Sequence, residues 1–284
     1  MARRRSRSDA ERPSSSPGRP VIPLGADRSL VAGERVLLVD PKNRRYLIRL
    51  EPGGVFHTHS GVVAHDAIIG EAEGCTVTGS SGRGFLVLRP TLSDTVLKMP
   101  RGAQVIYPKD LAAMLITANV SRGRRVLEAG VGSGALSIAL VRSGASVVGY
   151  EIREDFAETA KANVADACGD DADYDVVIKD VTLGIDERDL DCILLDLPEP
   201  WKVVEHASMA LKDGGILVAY LPTINQSATL RSALDKGPYC LAETFETLRR
   251  TWHIEARSVR PDHRMVAHTG FITSARKTAG AKKN

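Results

Sequence analysis

No apolar run in this 284-residue chain approaches the length needed to span a membrane. Its charged N-terminus also lacks the apolar segment of a secretory signal. Cysteine is scarce and scattered at positions 75, 168, 192 and 240, with no C-x-x-C pair, which argues against both a disulfide framework and a zinc knuckle. The four thiols read as reduced core residues of a cytoplasmic protein. His57, His59 and His65 have no acidic or cysteine ligand at a recognisable spacing, so no metal site is expected. Internal repeats are also missing. A general excess of positive charge is missing too. Residues 1–30 carry seven Arg against three acidic side chains, and residues 276–284 carry four basic side chains and no acidic one. Each end is therefore +4, and the chain total of +3 leaves the body near −5. Any nucleic-acid partner must be met by local patches and by the two tails. Disordered solubilising ends are the plain alternative for those tails.

What is present divides near Pro100. Residues 1–22, rich in Arg, Ser and Pro, are expected to form a disordered basic tail, with a second basic tail at 277–284. Between 23 and 99, short strand-like runs (35–39, 46–50, 84–88 and 94–99) alternate with turn clusters such as Asp40-Pro-Lys-Asn and Glu51-Pro-Gly-Gly. That is the pattern of a small antiparallel β-domain. From 100 to 276 strand and helix patterns alternate: helix 109–120, strand 125–129, helix 135–143, strand 146–150 and helix 154–167 come first. Strands 175–179 and 190–195, helix 201–211, strand 216–220 and helix 226–236 follow. Segments 243–257 and 265–275 read as two long β-segments joined through Pro261. Alternation of this kind predicts a parallel, doubly wound α/β sheet, and the last two strands predict an antiparallel hairpin at its edge, as in class I methyltransferases.

The segment Val126-Leu-Glu-Ala-Gly-Val-Gly-Ser-Gly134 runs from an apolar strand through a glycine turn into a helix. Gly130, Gly132 and Gly134 let the backbone approach a ligand, and the helix behind them, beginning Ala135-Leu136, offers free N–H groups. Glu151, ending the next strand, can take both hydroxyls of a ribose. A dinucleotide fingerprint is G-x-G-x-x-G, but here the spacing is G-x-G-x-G, with Glu128 two places before the first glycine. A carboxylate there repels a pyrophosphate and attracts a sulfonium or amine, which favours S-adenosylmethionine. Asp180 and Asp196 end further strands, where ligands of open α/β sheets bind. Helix capping is the plain alternative for each of them. After Asp196 comes Leu-Pro-Glu-Pro-Trp201-Lys. Its prolines stiffen the loop, Asp196 can accept from an exocyclic amine, and Trp201 can wall a pocket or stack on a base. A proline-rich turn with Trp201 as a core anchor is the other reading.

Together with Phe56-His-Thr-His-Ser-Gly61, Gln104-Val-Ile-Tyr-Pro-Lys-Asp110, Val218-Ala-Tyr-Leu-Pro222 and His268-Thr-Gly-Phe271, these motifs resemble the tRNA (adenine-58-N1)-methyltransferases of the TrmI type, from about Val31 to Arg276. Ser60, Ala103 and Ala267 depart from the residues usual there. The resemblance implies methyl transfer from S-adenosylmethionine to N1 of adenine 58 in the T-loop, with the neighbouring adenine 57 left open. It also implies a tRNA partner and a homotetramer built as a dimer of dimers. Asp196 and Tyr107 become the candidate catalytic residues. Gln104, Glu128, Gly130, Gly132, Ser133, Gly134, Ala135, Leu136, Glu151, Phe156, Asp180 and Asp196 become the candidate cofactor site, and Trp201 and His268 the candidate substrate contacts. For His268, simple packing stays equally open. Two other functions are consistent with parts of the chain: a non-catalytic tRNA-binding subunit, and a protein isoaspartyl methyltransferase. The first should have lost the cofactor turn, and the second has no need of an amine-accepting Asp-x-x-Glu-Pro-Trp loop.

Overall fold

The computed structural model describes residues 29–59, 61–102 and 104–280. The basic stretches before 29 and after 280, and the departures at Ser60 and Ala103, lie outside the described residues.

The N-terminal region contains β1 (Arg35–Val39), β2 (Arg45–Arg49), β3 (Val55–Thr58), β4 (Gly61–Ala64), β5 (Thr76–Thr78) and β6 (Gly84–Leu88). Four of these form an antiparallel sheet in the order β2-β1-β6-β5, and β3-β4 is a separate hairpin. Alternating side chains of β1 and β6 bury Val36, Leu38, Phe85 and Val87 in one core with Leu30, Leu50 and Ile68.

Segment 94–99, expected as a strand, lies in helix α1 (Leu92–Lys98). A capping box decides it: Asp94 N donates to Thr91 Oγ1 at 3.1 Å, and Thr91 N donates back to Asp94 Oδ2 at 3.2 Å. The run Thr-Val-Leu-Lys-Met is short enough to read as a strand, but Val96 and Met99 are three apart and bury one helical face. That face enters the core of the following α/β body with Val105, Ile106 and Met114, so α1 joins the two regions although it precedes Pro100. Arg35 and Arg49 also reach across to Asp166 of the body.

The body comprises α2 (Pro108–Thr117), β7 (Arg125–Ala129), α3 (Ala135–Arg142), β8 (Ser146–Glu151), α4 (Glu154–Cys168), β9 (Tyr174–Ile178) and β10 (Leu190–Leu195). It continues with α5 (Val204–Ala210), β11 (Leu211–Leu221), α6 (Ile224–Lys236), β12 (Tyr239–Phe245), β13 (Trp252–Glu255), β14 (Ser258–Pro261) and β15 (Phe271–Lys277). One sheet runs β12-β15-β11-β10-β7-β8-β9. Strands β7–β11 are parallel, whereas β15 is antiparallel to both β11 and β12. Both faces of the sheet are covered, so its central strands read as continuous apolar runs such as Ile193-Leu194-Leu195. The order reverses between β7 and β10, which opens a crevice at their carboxyl ends.

The last strands differ from the expectation of two long segments. The sheet pairing of β12 ends at Phe245, opposite Ile272 of β15. Between them the chain leaves the sheet and forms its own hairpin, β13-β14, with Trp252 opposite Pro261.

Candidate active site

The glycine turn is shaped by what stands behind it. Gly130 has φ +82°, and a Cβ there would run into the backbone carbonyl of Asp196. Asp196 N donates to Ala129 O at 2.9 Å, so the tips of β7 and β10 are tied at the crevice. Gly132, also left-handed at φ +54°, donates its N–H to Glu151 Oε2 at 3.0 Å. The other oxygen of Glu151 accepts from the N–H groups of Ile152 and Arg153, at 2.9 and 3.1 Å. This carboxylate is therefore aimed by three backbone donors. Gly134 does something different: a Cβ on it would press on Ala160 at 3.2 Å, so it sets the packing of α3 on α4.

A cavity of about 520 Å³ opens here, lined by Gln104, Gly130, Gly132, Glu151, Phe156 and Asp180, with Asp196 on its wall. Arg153 stacks on the Phe156 ring at 3.8 Å. Asp180 Oδ1 accepts from Thr182 N and Oγ1 at 2.9 and 2.7 Å, which holds its carboxyl below the usual range. Glu128, Ser133, Ala135 and Leu136 line a narrow recess behind the glycines, which also touches Gln104 and Asp196. A second cavity, of about 480 Å³, lies beyond Asp196 and is lined by Gln104, Tyr107, Tyr220, Pro222, His268 and Thr269. Gln104 and Asp196 face both spaces and so form the wall between them.

Two carboxyls at this wall are unusual. Glu128 is buried and accepts from Ser137 Oγ at 2.6 Å. Burial pushes it up to about 8, with help from Asp196 and Glu151 and against the Ser137 hydrogen bond. Asp196 retains some solvent contact through the cavities, yet enclosing protein lifts it to about 7. His268 sits at the lip of the second cavity, with Nδ1 2.9 Å from Glu246 Oε2 and Nε2 3.1 Å from Pro222 O. Both partners only accept, so both ring nitrogens must donate, and the hydrogen bond to Glu246 leads the upward shift of this imidazole.

The structure thus brings together almost all of the residues singled out from sequence. Trp201 is the exception. Pro200 begins a 3-10 turn (Pro200–Val203) that rolls the indole away, onto the cleft between α5 and α6 beside Val204, Ala233 and Pro238. It is half-buried there, packed on the core beneath that cleft. Sequence reasoning missed Tyr220 and Thr269 in the second cavity and Tyr150, Lys179 and Lys202 in the first. Tyr220 could have been found from its place next to the end of β11, at the carboxyl edge of the sheet. Thr269 stands in the His268-Thr-Gly-Phe271 motif beside His268.

This strand order, with an acid-rimmed glycine turn at the switch point, defines a class I methyltransferase fold. A solved S-adenosylmethionine-dependent O-methyltransferase from Thermotoga maritima superimposes with a TM-score of 0.86 at 33% identity, over 91% of this chain and 97% of that one. The tRNA (m1A58) methyltransferase TrmI from Aquifex aeolicus does so with a TM-score of 0.77 at 30% identity, over 89% and 100%. Residues 84–269 match the family described as tRNA methyltransferase complex GCD14 subunit, and residues 29–77 match the TrmI-like N-terminal region. The Thermus thermophilus tRNA (adenine(58)-N(1))-methyltransferase TrmI is 38% identical over 251 residues, 85% of this chain and 96% of the relative. The tRNA (adenine(57)-N(1)/adenine(58)-N(1))-methyltransferase TrmI of Methanocaldococcus jannaschii is 36% identical over 268 residues, covering 84% and 94%. The chain belongs to the TrmI family of tRNA adenine-N1 methyltransferases.

Proposed function

We propose that this protein transfers a methyl group from S-adenosylmethionine to N1 of adenine 58 in the T-loop of tRNA. The observation that carries the reading is the wall shared by two cavities, with Asp196 and Gln104 facing both. A donor on one side and a base on the other then meet across Asp196. The residues present suit the donor. Gly130 and Gly132 line the first cavity, Glu151 is aimed for a ribose, and the Glu128–Asp196 acids suit a cationic sulfonium and amine. When bound, S-adenosylmethionine supplies the electrophilic methyl group.

The rest falls to the chain. Adenine N1 carries an in-plane lone pair and needs no deprotonation before attack. It lies on the Watson–Crick edge, so the base must be extruded into the second cavity. Ionised Asp196 accepts from the N6 amine, holds N1 in line, and stabilises the positive charge that methylation places on the ring. Tyr107 and Tyr220 supply the apolar walls that exclude water. An oxygen acceptor, as in the Thermotoga relative's description, would instead require a base to take its proton.

Among the described residues no helix is long and apolar enough to cross a membrane, and no group of side chains is arranged to hold a metal. Cytoplasmic action and a dimer-of-dimers tetramer are part of this reading. Light scattering tests the tetramer. Mapping 1-methyladenosine by reverse-transcription stops on unmodified tRNA treated with the protein tests the reaction. A stop at 58 is expected, and its absence would overturn the proposal. A second stop at 57 would extend the specificity to that found in the Methanocaldococcus relative's name.

A further inference from the structure

Asp110 lines neither of the two cavities, yet its carboxylate joins four separate segments. It is fully buried. Oδ1 accepts from Lys109 Nζ at 2.8 Å and from Thr247 Oγ1 at 2.6 Å. Oδ2 accepts from Thr269 Oγ1 at 2.5 Å and from the Tyr220 hydroxyl at 3.3 Å. Lys109, almost as buried, donates in addition to Thr247 O at 2.8 Å and lies 2.6 Å from Thr269 Oγ1. The partners come from the first turn of α2, the chain just after β12, the chain just before β15, and the end of β11.

Three of those segments carry walls of the second cavity: Tyr107 caps α2, Tyr220 ends β11, and His268-Thr269 precedes β15. The last two are also in direct contact, because a Cβ on Gly270 would come 2.6 Å from atoms of the Tyr220 ring. A buried ion pair of this kind is weak evidence for stability, since apolar replacements of the same volume often hold a fold as well. What it supplies is direction: each lone pair of Asp110 selects one donor on one segment.

We propose that Asp110 is a positioning residue for the methyl acceptor, fixing the α2 turn, Tyr220 and the 268–270 segment around the second cavity. The inference rests on the reading that this cavity receives the target adenine. Loss of one bond should loosen the wall that faces the base and leave the glycine turn untouched. A misplacement on the order of 1 Å at a reacting atom is worth about a hundredfold in rate.

The test is steady-state methylation of unmodified tRNA, with calorimetric affinity for S-adenosylmethionine, in Thr269→Val, Thr269→Ser and Asp110→Asn. Thr269→Val should lower kcat about tenfold or more, with cofactor affinity within about twofold of wild type. Thr269→Ser, which keeps the hydroxyl, should restore most of the rate. Asp110→Asn should fall further, and if it does not fold, the valine–serine pair at 269 decides alone. Combining Thr269→Val with Tyr220→Phe should cost less than the product of the two single losses. Wild-type turnover by Thr269→Val would overturn the proposal. So would a serine variant as slow as the valine one, or cofactor affinity falling in step with kcat. A wild-type protein that leaves tRNA unmethylated would instead refute the underlying function, so the two failures are distinguishable.

Discussion

Glu128 and Asp196 together predict that the cofactor enters this site by displacing protons. With Glu128 near 8 and Asp196 near 7, these two neighbouring acids together hold a substantial share of protons in the free site at pH 7. A sulfonium and an ammonium delivered beside them favour both ionised forms. Binding at pH 7 should therefore release roughly one proton, and affinity should rise with pH until both acids are ionised. The assay is calorimetry at pH 7 in two buffers of different ionisation enthalpy, where the difference in observed heat counts the protons. Glu128→Gln should reduce the count, because only Asp196 remains to titrate. S-adenosylhomocysteine, which lacks the sulfonium charge, should release fewer protons than S-adenosylmethionine. The sign for stability follows from the same shift. The Glu128 carboxyl lies above its ordinary 4.5 in the folded protein, so the fold binds an extra proton between those values. Its contribution is present below about pH 4.5 and is lost as pH rises toward 8. Glu128→Gln should accordingly raise the melting temperature of the cofactor-free protein at pH 8 more than at pH 6. Equal heats in the two buffers would refute the reasoning, since they would mean that both acids are already ionised in the free site.

Two further outcomes follow from single features of the site. Gly130→Ala places a Cβ against the Asp196 carbonyl at φ +82°, so strain of about 1–3 kcal/mol should lower the melting temperature, and the displaced Asp196 tip should weaken cofactor binding. Cofactor affinity equal to wild type would contradict that role for the glycine. His268, with both nitrogens donating, should titrate above an ordinary histidine in an NMR pH series. Its link between Glu246 and Pro222 is complete at low pH and lost as pH rises through that elevated value. Glu246→Gln should return the imidazole toward 6.5, and an unchanged titration would sink the assignment.

Much of this arrangement is legible in the sequence because strands and glycine turns leave local signatures. Strand 190–195 runs directly into Asp196, and Gly130, Gly132 and Glu151 fall where the pattern places them. Segment 94–99 misleads because a short apolar run fits either element, while a capping box from Thr91 to Asp94 fixes a helix. The closing strands mislead for a different reason. The departure of the chain at Phe245 into a separate hairpin depends on where β15 begins to pair, which is a long-range fact. Trp201 belongs to the same class. Its loop is conspicuous, but the direction of the side chain is set by the turn at Pro200 and by the apolar cleft that receives it. The Asp110 network is the least legible part, since its members are up to 160 positions apart and only the fold makes them neighbours.

Asp196→Ala tests the central claim most directly. The protein should still bind S-adenosylmethionine, because the glycine turn and Glu151 are intact, while 1-methyladenosine at position 58 of tRNA should fall by about a hundredfold or more in rate. Normal methylation at 58 by that variant would contradict the account.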